Sequence, residues 1–420
     1  MRGDVTWRDA GLRSPLLRAF NLTGSALRAV GWKLPSLEPE SLVDAARRQT
    51  GLSDFGPPDW REALEVLCQS IEHEAALTSF GRLALRGLIS GALANRLRLF
   101  DYVARHPEVR EERIERPWVV VGLPRTGTTL LSLLLGLDPE ARPLLQWEAD
   151  APVPPPDLAS GAEDPRIAAS AKRVQQLERL NPAIPAMHPM SATLATECVT
   201  LFLLDLRSLA IETQALLPAY GSWLEKSDVC GTYALHRLAL QVLQSRIPTP
   251  AWSLKTPQHL WHLETLLETY PDARVVWTHR DPVSVVTSTA SLNTAMHRGT
   301  SRDVDPRAVG AEWLGKLHLA VSRGLDFDRR QQGRAWCHHL HYGQLVADPI
   351  ASVRALYAHF DAEPCALHVR RMEVWMRDRP QNAFGRHRYD PADFGFTPAG
   401  LRERFADYRE RFGVADAESG

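Results

Sequence analysis

A turn at residues 122–129 combines residue types that bind anions. The sequence Gly-Leu-Pro-Arg-Thr-Gly-Thr-Thr contains Gly122 and Gly127; it follows a run of valines and precedes a leucine-rich segment. A β-branched run and a leucine-rich run predict a strand before the turn and a helix after it. The two glycines have the spacing of a phosphate-binding loop. The pattern therefore predicts an anion site at the N-terminus of a helix.

The donors of this turn are suited to a phosphate or sulfate group. Backbone N–H groups from Thr126 through Gly127 to Thr129 would point at the anion, and the helix dipole would assist them. Arg125 and the hydroxyls of Thr128 and Thr129 add further donors. Nucleotide triphosphatases carry a lysine where this chain has Thr128. We therefore expect a nucleotide without a triphosphate tail.

A second anion site is predicted near Arg280 and Ser288. The run Arg-Val-Val-Trp-Thr at 274–278 predicts a buried strand, and Arg280 lies just past its end. Ser288 lies on the helix that Asp281 and the next proline begin. Two separated phosphate sites suit a nucleotide that is phosphorylated at both its 5′ and 3′ positions.

The elements that carry these residues alternate between strand and helix. We expect strands at 118–121, 252–254 and 274–278, with a helix after each, the second running from Thr256 to Thr269. This order predicts an α/β fold with a mostly parallel sheet and helices on both faces. Ligands of such sheets lie at the carboxyl ends of the strands, so the cations that follow the strands should converge.

The composition of the whole chain limits the class of protein and its partners. The chain has 420 residues, a formal net charge of −1 and five scattered cysteines. We expect a cytoplasmic protein with reduced thiols and no membrane span, and nothing in the overall charge favours nucleic acid or an anionic membrane surface.

The chain is predicted to divide into an N-terminal helical cap, residues 1–113, and the α/β domain, residues 114–420. The chain has only five lysines, and Lys255 stands at the end of a predicted strand.

Several segments together resemble the sulfotransferase superfamily that uses 3′-phosphoadenosine 5′-phosphosulfate (PAPS), and its large bacterial branch most closely. The matching segments, in family order, are residues 122–129, 147–148, 254–260, 271–276, 278–282, 342–349 and 387–395. The resemblance implies a P-loop-like three-layer sandwich around the parallel sheet. It also implies PAPS as co-substrate and no metal.

The resemblance also implies roles for single residues. The first loop would bind the 5′-phosphosulfate, and Arg280 with Ser288 would bind the 3′-phosphate. Tyr342 would lie near the cofactor, and the loop that contains Arg386 and Arg388 would close over the nucleotide.

Catalysis in that family is an in-line displacement at sulfur, comparable to phosphoryl transfer. Arg125 and Lys255 are the candidates for stabilising charge on the leaving oxygen. Glu148 is the first candidate for the general base and His259 the second. His188 and Glu197 resemble a family segment on the acceptor side, where we expect structural roles.

Two other functions stay open at this point. A nucleotide kinase or triphosphatase with a degenerate loop would bind ATP and magnesium, and a catalytically inactive protein would bind a nucleotide only. His338, His339 and His341 offer no closed set of metal ligands. The acceptor could be a small molecule, a lipid or a glycan, and a homo-oligomer is possible.

Overall fold

A five-stranded sheet in which every pairing is parallel forms the centre of the computed structural model. The structure describes residues 4–11, 14–157, 161–331, 333–378 and 387–416. The strands are β1 (Trp118–Gly122), β2 (Ala141–Pro143), β3 (Ala251–Lys255), β4 (Arg274–His279) and β5 (Cys337–His341). Their order across the sheet is β2-β3-β1-β4-β5, so the first strand lies between two strands that come much later in the chain.

Helices surround this sheet. The α-helices are α1 (Pro15–Ala29), α2 (Pro39–Thr50), α3 (Trp60–Glu74), α4 (Ser79–Arg105), α5 (Thr128–Leu135), α6 (Gln146–Asp150), α7 (Pro165–Leu180), α8 (Ile184–Met187), α9 (Val199–Phe202), α10 (Leu209–Glu212), α11 (Pro218–Leu224), α12 (Cys230–Gln244), α13 (Leu263–Thr269), α14 (Pro282–Thr300), α15 (Pro306–Arg330), α16 (Tyr342–Ala347), α17 (Pro349–His359), α18 (Ala366–Asp378), α19 (Pro398–Arg404) and α20 (Ala406–Phe412). Short 3₁₀ helices lie at Trp7–Asp9, Pro107–Glu111, Gly161–Glu163, Leu203–Asp205, Pro257–Trp261 and Pro391–Phe394.

Strand β1 shows why the sheet has helices on both faces. All five of its residues are buried, and successive side chains point to opposite faces of a strand. Val119 and Val121 pack into one hydrophobic cluster, whereas Trp118 and Val120 pack into another. The predicted α/β class and the P-loop-like three-layer arrangement are therefore confirmed.

Local sequence signals start the helices at the carboxyl ends of the strands. Gly127 is the N-cap of α5, and the Asp281 side chain accepts a hydrogen bond from the Val283 N–H at the start of α14. The Thr256 hydroxyl caps the next element in the same way. The predicted single helix from Thr256 to Thr269 is wrong, because a 3₁₀ turn ends at Trp261 and a separate helix begins after it.

The N-terminal region is helical, as predicted, but it does not have a separate core. Leu64 and Leu93 of this region are fully buried in the same cluster as Val119 of the sheet. The division at residues 113 and 114 stays a prediction. None of the helices that the structure describes has the length and apolar character needed to cross a bilayer.

Candidate active site

The carboxyl ends of β1, β3 and β4 lie side by side and carry the predicted cations. Val120 pairs with Lys255 across β1 and β3, and Gly122 pairs with Thr278 across β1 and β4. Arg280 follows β4 directly. The strand order brings residues that are more than a hundred positions apart to one edge of the sheet, where parallel α/β proteins bind ligands.

The turn after β1 has a backbone that requires glycine at its start. Gly122 has φ of +133°, and a Cβ atom there would lie 2.5 Å from Thr278 Oγ1. The Thr126 hydroxyl is buried and donates to the Leu123 carbonyl at 2.6 Å. It also hydrogen-bonds the Thr278 hydroxyl at 2.6 Å. Thr126 and Thr278 therefore hold the turn in shape, while Thr128 and Thr129 begin the helix that follows.

Arg125 links this turn to the second predicted anion site. Its backbone has φ of +68°, an uncommon value for a residue other than glycine. Its Nε donates to Ser288 Oγ at 3.1 Å, and its NH1 group donates to the Met187 carbonyl at 2.8 Å. Burial lowers the pKa of Arg125, and the nearby charge of Arg280 lowers it further. An anion at this position would relieve both penalties.

Arg280 completes the cluster of cations. Its NH1 group donates to the Arg125 carbonyl at 2.8 Å, and its guanidinium lies 4.0 Å from the centre of the Tyr342 ring. Tyr342 also packs on the turn, since a Cβ atom at Gly127 would lie 3.1 Å from its ring. The structure thus brings together Arg125, Arg280, Ser288 and Tyr342.

Lys255 has a partner that the sequence did not reveal. Its Nζ lies 2.7 Å from Glu197 Oε1, and the Cys198 N–H donates to the Lys255 carbonyl at 2.9 Å. Burial would raise the pKa of Glu197, but Lys255 and His188 outweigh it and hold that pKa below its usual range. Glu197 is therefore ionised at neutral pH.

His188 belongs to the same cluster. Burial lowers the pKa of His188 to about 4; Glu197 opposes this shift, whereas Lys255 and Arg125 add to it. The imidazole is therefore neutral near pH 7 and can accept a proton. Because Met187, the residue before it, receives a hydrogen bond from Arg125, His188 lies beside the turn after β1.

Glu148 makes contacts that hold the fold together. It is buried in α6, with Oε1 2.5 Å from the Arg142 guanidinium on β2 and Oε2 accepting from the Leu145 N–H at 3.1 Å. Arg142 in turn lies over the Trp252 ring, 4.6 Å from its centre. Both carboxylate oxygens thus have partners, which favours a positioning role; its role as base stays a prediction.

His259 lies in the aromatic part of the core. Its Nδ1 is 2.8 Å from the Tyr233 hydroxyl, and its ring packs edge-on against Phe202. Burial, together with His236 and His262, lowers the pKa of His259 well below its usual value. These contacts are with core residues, so the structure does not bring His259 to the charged cluster.

The segment that begins at His387 lies close to Arg125. Val5 pairs with His387, the Arg388 N–H donates to the Val5 carbonyl at 2.8 Å, and the Arg388 side chain forms an ion pair with Asp4. Burial lowers the pKa of His387 to about 3, and the charge of Arg125 contributes to this shift. The predicted ligand Arg386 lies outside the described residues.

The three histidines on β5 do not form a metal site with their neighbours. His339 Nδ1 is 2.9 Å from His279 Nε2, and the His338 ring packs edge-on against His359. Within the ranges that the structure describes, no group of three or more histidine, cysteine, aspartate or glutamate residues is arranged to hold a metal ion.

Two contributors to the site were missed from the sequence. The Thr278 hydroxyl supports the turn, and the Met187 carbonyl orients Arg125. Thr278 stands two residues before Arg280 at the end of a predicted strand, so its position was a usable signal. A backbone carbonyl gives no signal in a sequence.

The chain is similar to known proteins in both sequence and structure. Residues 117–364, more than half of the chain, match the model of the Sulfotransferase family. The solved structure of sulfotransferase STF9 from Mycobacterium avium is 30% identical, with a TM-score of 0.83 over 91% of this chain and 98% of that one. STF1 from Mycobacterium tuberculosis H37Rv is 33% identical, with a TM-score of 0.79 over 88% of this chain and 98% of that one.

A curated relative matches a shorter part. The omega-hydroxy-beta-dihydromenaquinone-9 sulfotransferase Stf3 of Mycobacterium tuberculosis is 28% identical over 131 residues, 30% of this chain. The match spans about a third of the length of Stf3, 32%. The family model and the two mycobacterial structures, by contrast, extend across the sheet and its three strand ends. The chain is therefore an enzyme of the sulfotransferase family.

Proposed function

We propose that this enzyme transfers a sulfuryl group from PAPS to an acceptor hydroxyl. The main support is the direct contact between the two anion-binding elements, in which Arg125 donates to Ser288 and Arg280 donates to the Arg125 carbonyl. One nucleotide with an anionic group at each end would bridge them. We assign the 5′-phosphosulfate to the turn at residues 126–129 and the 3′-phosphate to Arg280 and Ser288.

Further contacts of the nucleotide follow from the surroundings of these cations. Tyr342 packs against Arg280 and the turn, so we assign it a position beside the bound nucleotide. Arg388 is proposed to contact the nucleotide from the segment that begins at His387, and Arg386 is retained as a proposed ligand. The pairing of His387 with Val5 supports this, because it fixes the described end of that segment.

The transfer step is a displacement at sulfur. The acceptor oxygen forms a bond to sulfur while the bond from sulfur to the bridging phosphate oxygen breaks, and adenosine 3′,5′-bisphosphate leaves. Negative charge grows on the bridging oxygen, so cations beside it lower the barrier. Arg125 and Lys255 are the proposed cations, since Arg125 belongs to the turn and Lys255 ends the neighbouring strand β3.

The acceptor proton needs a base, and the cluster around Lys255 favours His188 over the predicted Glu148. His188 is neutral because burial depresses its pKa, and the charges of Lys255 and Arg125 depress it further. A bound anionic donor would offset those charges and so raise the basicity of His188 during the reaction. The ionised Glu197 nearby would stabilise the imidazolium that forms.

The acceptor class and the compartment are proposed on separate grounds. The name of Stf3 describes a hydroxylated menaquinone as its acceptor, so we propose a hydroxyl on an apolar molecule as the first class to test. All five cysteines are free thiols, which is consistent with a reducing cytoplasm.

The proposal is tested by binding and transfer with the purified chain. Calorimetry should show adenosine 3′,5′-bisphosphate binding more tightly than ATP with magnesium. Incubation with ³⁵S-labelled PAPS should label at least one member of a panel of lipid alcohols, phenols and glycans. Preference for ATP with magnesium would instead indicate a kinase or triphosphatase. Tight bisphosphate binding with no labelled product across the panel would indicate an inactive nucleotide-binding protein.

A further inference from the structure

Helix α1 presents its apolar side to solvent. None of its fifteen residues is buried. The side that contacts the body of the protein combines polar or small residues with two half-buried leucines, Leu17 and Leu27. Asn21 Oδ1 accepts the Phe80 N–H at 2.9 Å, and Gly24 packs on Ser79, where a Cβ atom would overlap. A surface helix of a soluble protein normally turns most of its large apolar side chains toward the protein.

The outward side continues into the turn after the helix. Leu16, Leu22 and Trp32 are 82%, 73% and 63% exposed. Among the described residues, nine large hydrophobic side chains are exposed, and six of them fall between positions 16 and 34: Leu16, Phe20, Leu22, Val30, Trp32 and Leu34. Single exposed apolar residues are ordinary, but such a group on one short segment marks an interaction surface. We name these six residues the α1 face.

A basic cleft adjoins the α1 face. It has a volume of about 340 Å³ between the turn at Trp7–Asp9, the start of α1 and the end of α14. Four arginines line it, together with Asp9, Ala10, Gly11 and Ser301: Arg8, Arg18, Arg298 and Arg302. Helix α1 itself contains arginine but no acidic residue.

Few acids oppose this charge. Arg8 pairs with Asp393 at 2.5 Å, and Lys33, just beyond α1, pairs with Glu72 at 2.8 Å. Arg18 and Arg302 form no ion pair with any acid in the described part of the chain. The surface thus has an exposed apolar strip beside unpaired arginines, although the whole chain has a net charge of −1.

We propose that the α1 face docks on the surface of a bilayer that contains anionic phospholipids. The apolar side chains enter the boundary between headgroups and acyl chains, Trp32 lies at that interface, and the unpaired Arg18 and Arg302 of the cleft contact lipid phosphates. A second copy of the chain fits less well, because a two-fold contact would bring the two arginine clusters together. This inference goes beyond sulfuryl transfer and does not depend on it.

Vesicle flotation tests the proposal with the full chain. We expect the protein to float with vesicles of phosphatidylcholine and phosphatidylglycerol, to bind pure phosphatidylcholine weakly, and to dissociate partly at high salt. The double variant Leu16→Ser/Leu22→Ser should lower partitioning by about tenfold or more. The matched control Leu367→Ser/Val374→Ser changes two exposed apolar residues on α18 and should bind like the wild type.

Separate variants test the role of the arginines and the insertion of Trp32 into the bilayer. Arg18→Gln/Arg302→Gln should weaken binding to the anionic vesicles only, whereas Arg354→Gln/Arg370→Gln on α17 and α18 should not. Brominated lipids should quench tryptophan fluorescence, and Trp32→Phe should remove most of that quenching. Circular dichroism and the melting temperature should be unchanged in every variant, since all these side chains are exposed.

Three results would overturn the proposal. The first is an absence of vesicle binding by the wild type. The second is binding that Leu16→Ser/Leu22→Ser leaves intact. The third is a concentration-dependent dimer that the same double variant dissociates, without vesicle binding, which would assign the α1 face to a second copy of the chain.

Discussion

Arg125 Nε donates a hydrogen bond to Ser288 Oγ at 3.1 Å across 163 positions of sequence. Arg125 belongs to the turn after β1, and Ser288 lies in the second turn of α14, beyond β4. Because β1 and β4 are paired neighbours in the sheet, their two carboxyl ends hold these residues together. A ligand of either group is therefore close to the other.

Replacing Arg280 should weaken nucleotide binding most. Arg280→Ala removes a charge-assisted donor of the proposed 3′-phosphate site, so we expect the Kd for adenosine 3′,5′-bisphosphate to rise by roughly 10- to 100-fold. Calorimetry measures it. Arg329→Ala, which changes an exposed arginine on α15, is the matched control and should keep the wild-type Kd. Equal affinities for Arg280→Ala and the control would refute the assignment.

The base is tested by separating turnover from binding. His188→Gln should lower kcat by roughly 100-fold or more, with bisphosphate affinity nearly unchanged. Glu148→Gln should mainly lower the melting temperature, because it breaks the buried contact with Arg142. His259→Gln should likewise act on stability. Full turnover in His188→Gln, together with loss of turnover in Glu148→Gln, would restore Glu148 as the base.

The turn after β1 depends on the absence of a side chain at Gly122. Gly122→Ala should destabilise the protein by about 1–3 kcal/mol, because φ is +133° and the new Cβ atom would meet Thr278. Bisphosphate affinity should fall as well. Denaturant titration and calorimetry measure the two effects. Gly87→Ala, in the middle of α4 with open space around it, should instead leave stability equal or slightly higher.

Lys316 holds a buried acidic group together. Its Nζ lies 3.0 Å from Glu212 and 3.6 Å from Glu225, and it also contacts Glu312. Lys316→Met leaves these carboxylates without their cation, so we expect a loss of about 3–5 kcal/mol in denaturant titration. The control Lys33→Met removes an exposed ion pair and should cost less than about 1 kcal/mol. Adding Glu312→Gln to Lys316→Met should recover part of the loss.

Stability should fall in mild acid because of buried histidines. Burial lowers the pKa of His236 to about 3 and that of His297 to about 4, whereas an unfolded histidine titrates near 6.5. Between pH 6.5 and about 4 the unfolded state binds more protons, so the free energy of unfolding decreases as the pH falls. Denaturant titrations from pH 7 to pH 5 measure the slope. His297→Gln should reduce that slope by the equivalent of about one bound proton. An unchanged slope would contradict the lowered pKa assigned to His297.

The sequence by itself determined the turn after β1 and the start of α14, where the anion sites are proposed, because their geometry is local. Glycine spacing, a strand before Gly122 and a helix after Gly127 specify a turn through backbone conformation alone. The same holds for Arg280 between a strand and a helix that Asp281 caps. Alternating strands and helices also specified the parallel sheet, and with it the edge where the cations meet.

Only the tertiary structure decided which charged side chains face one another. Glu148 pairs with Arg142 and Glu197 with Lys255, and these choices depend on how α6 and the segment before Cys198 pack on the sheet. The exposure of the α1 face was equally hidden, since apolar spacing along a helix does not say which side meets the protein. Such pairings arise from long-range packing, which no local pattern of residues encodes.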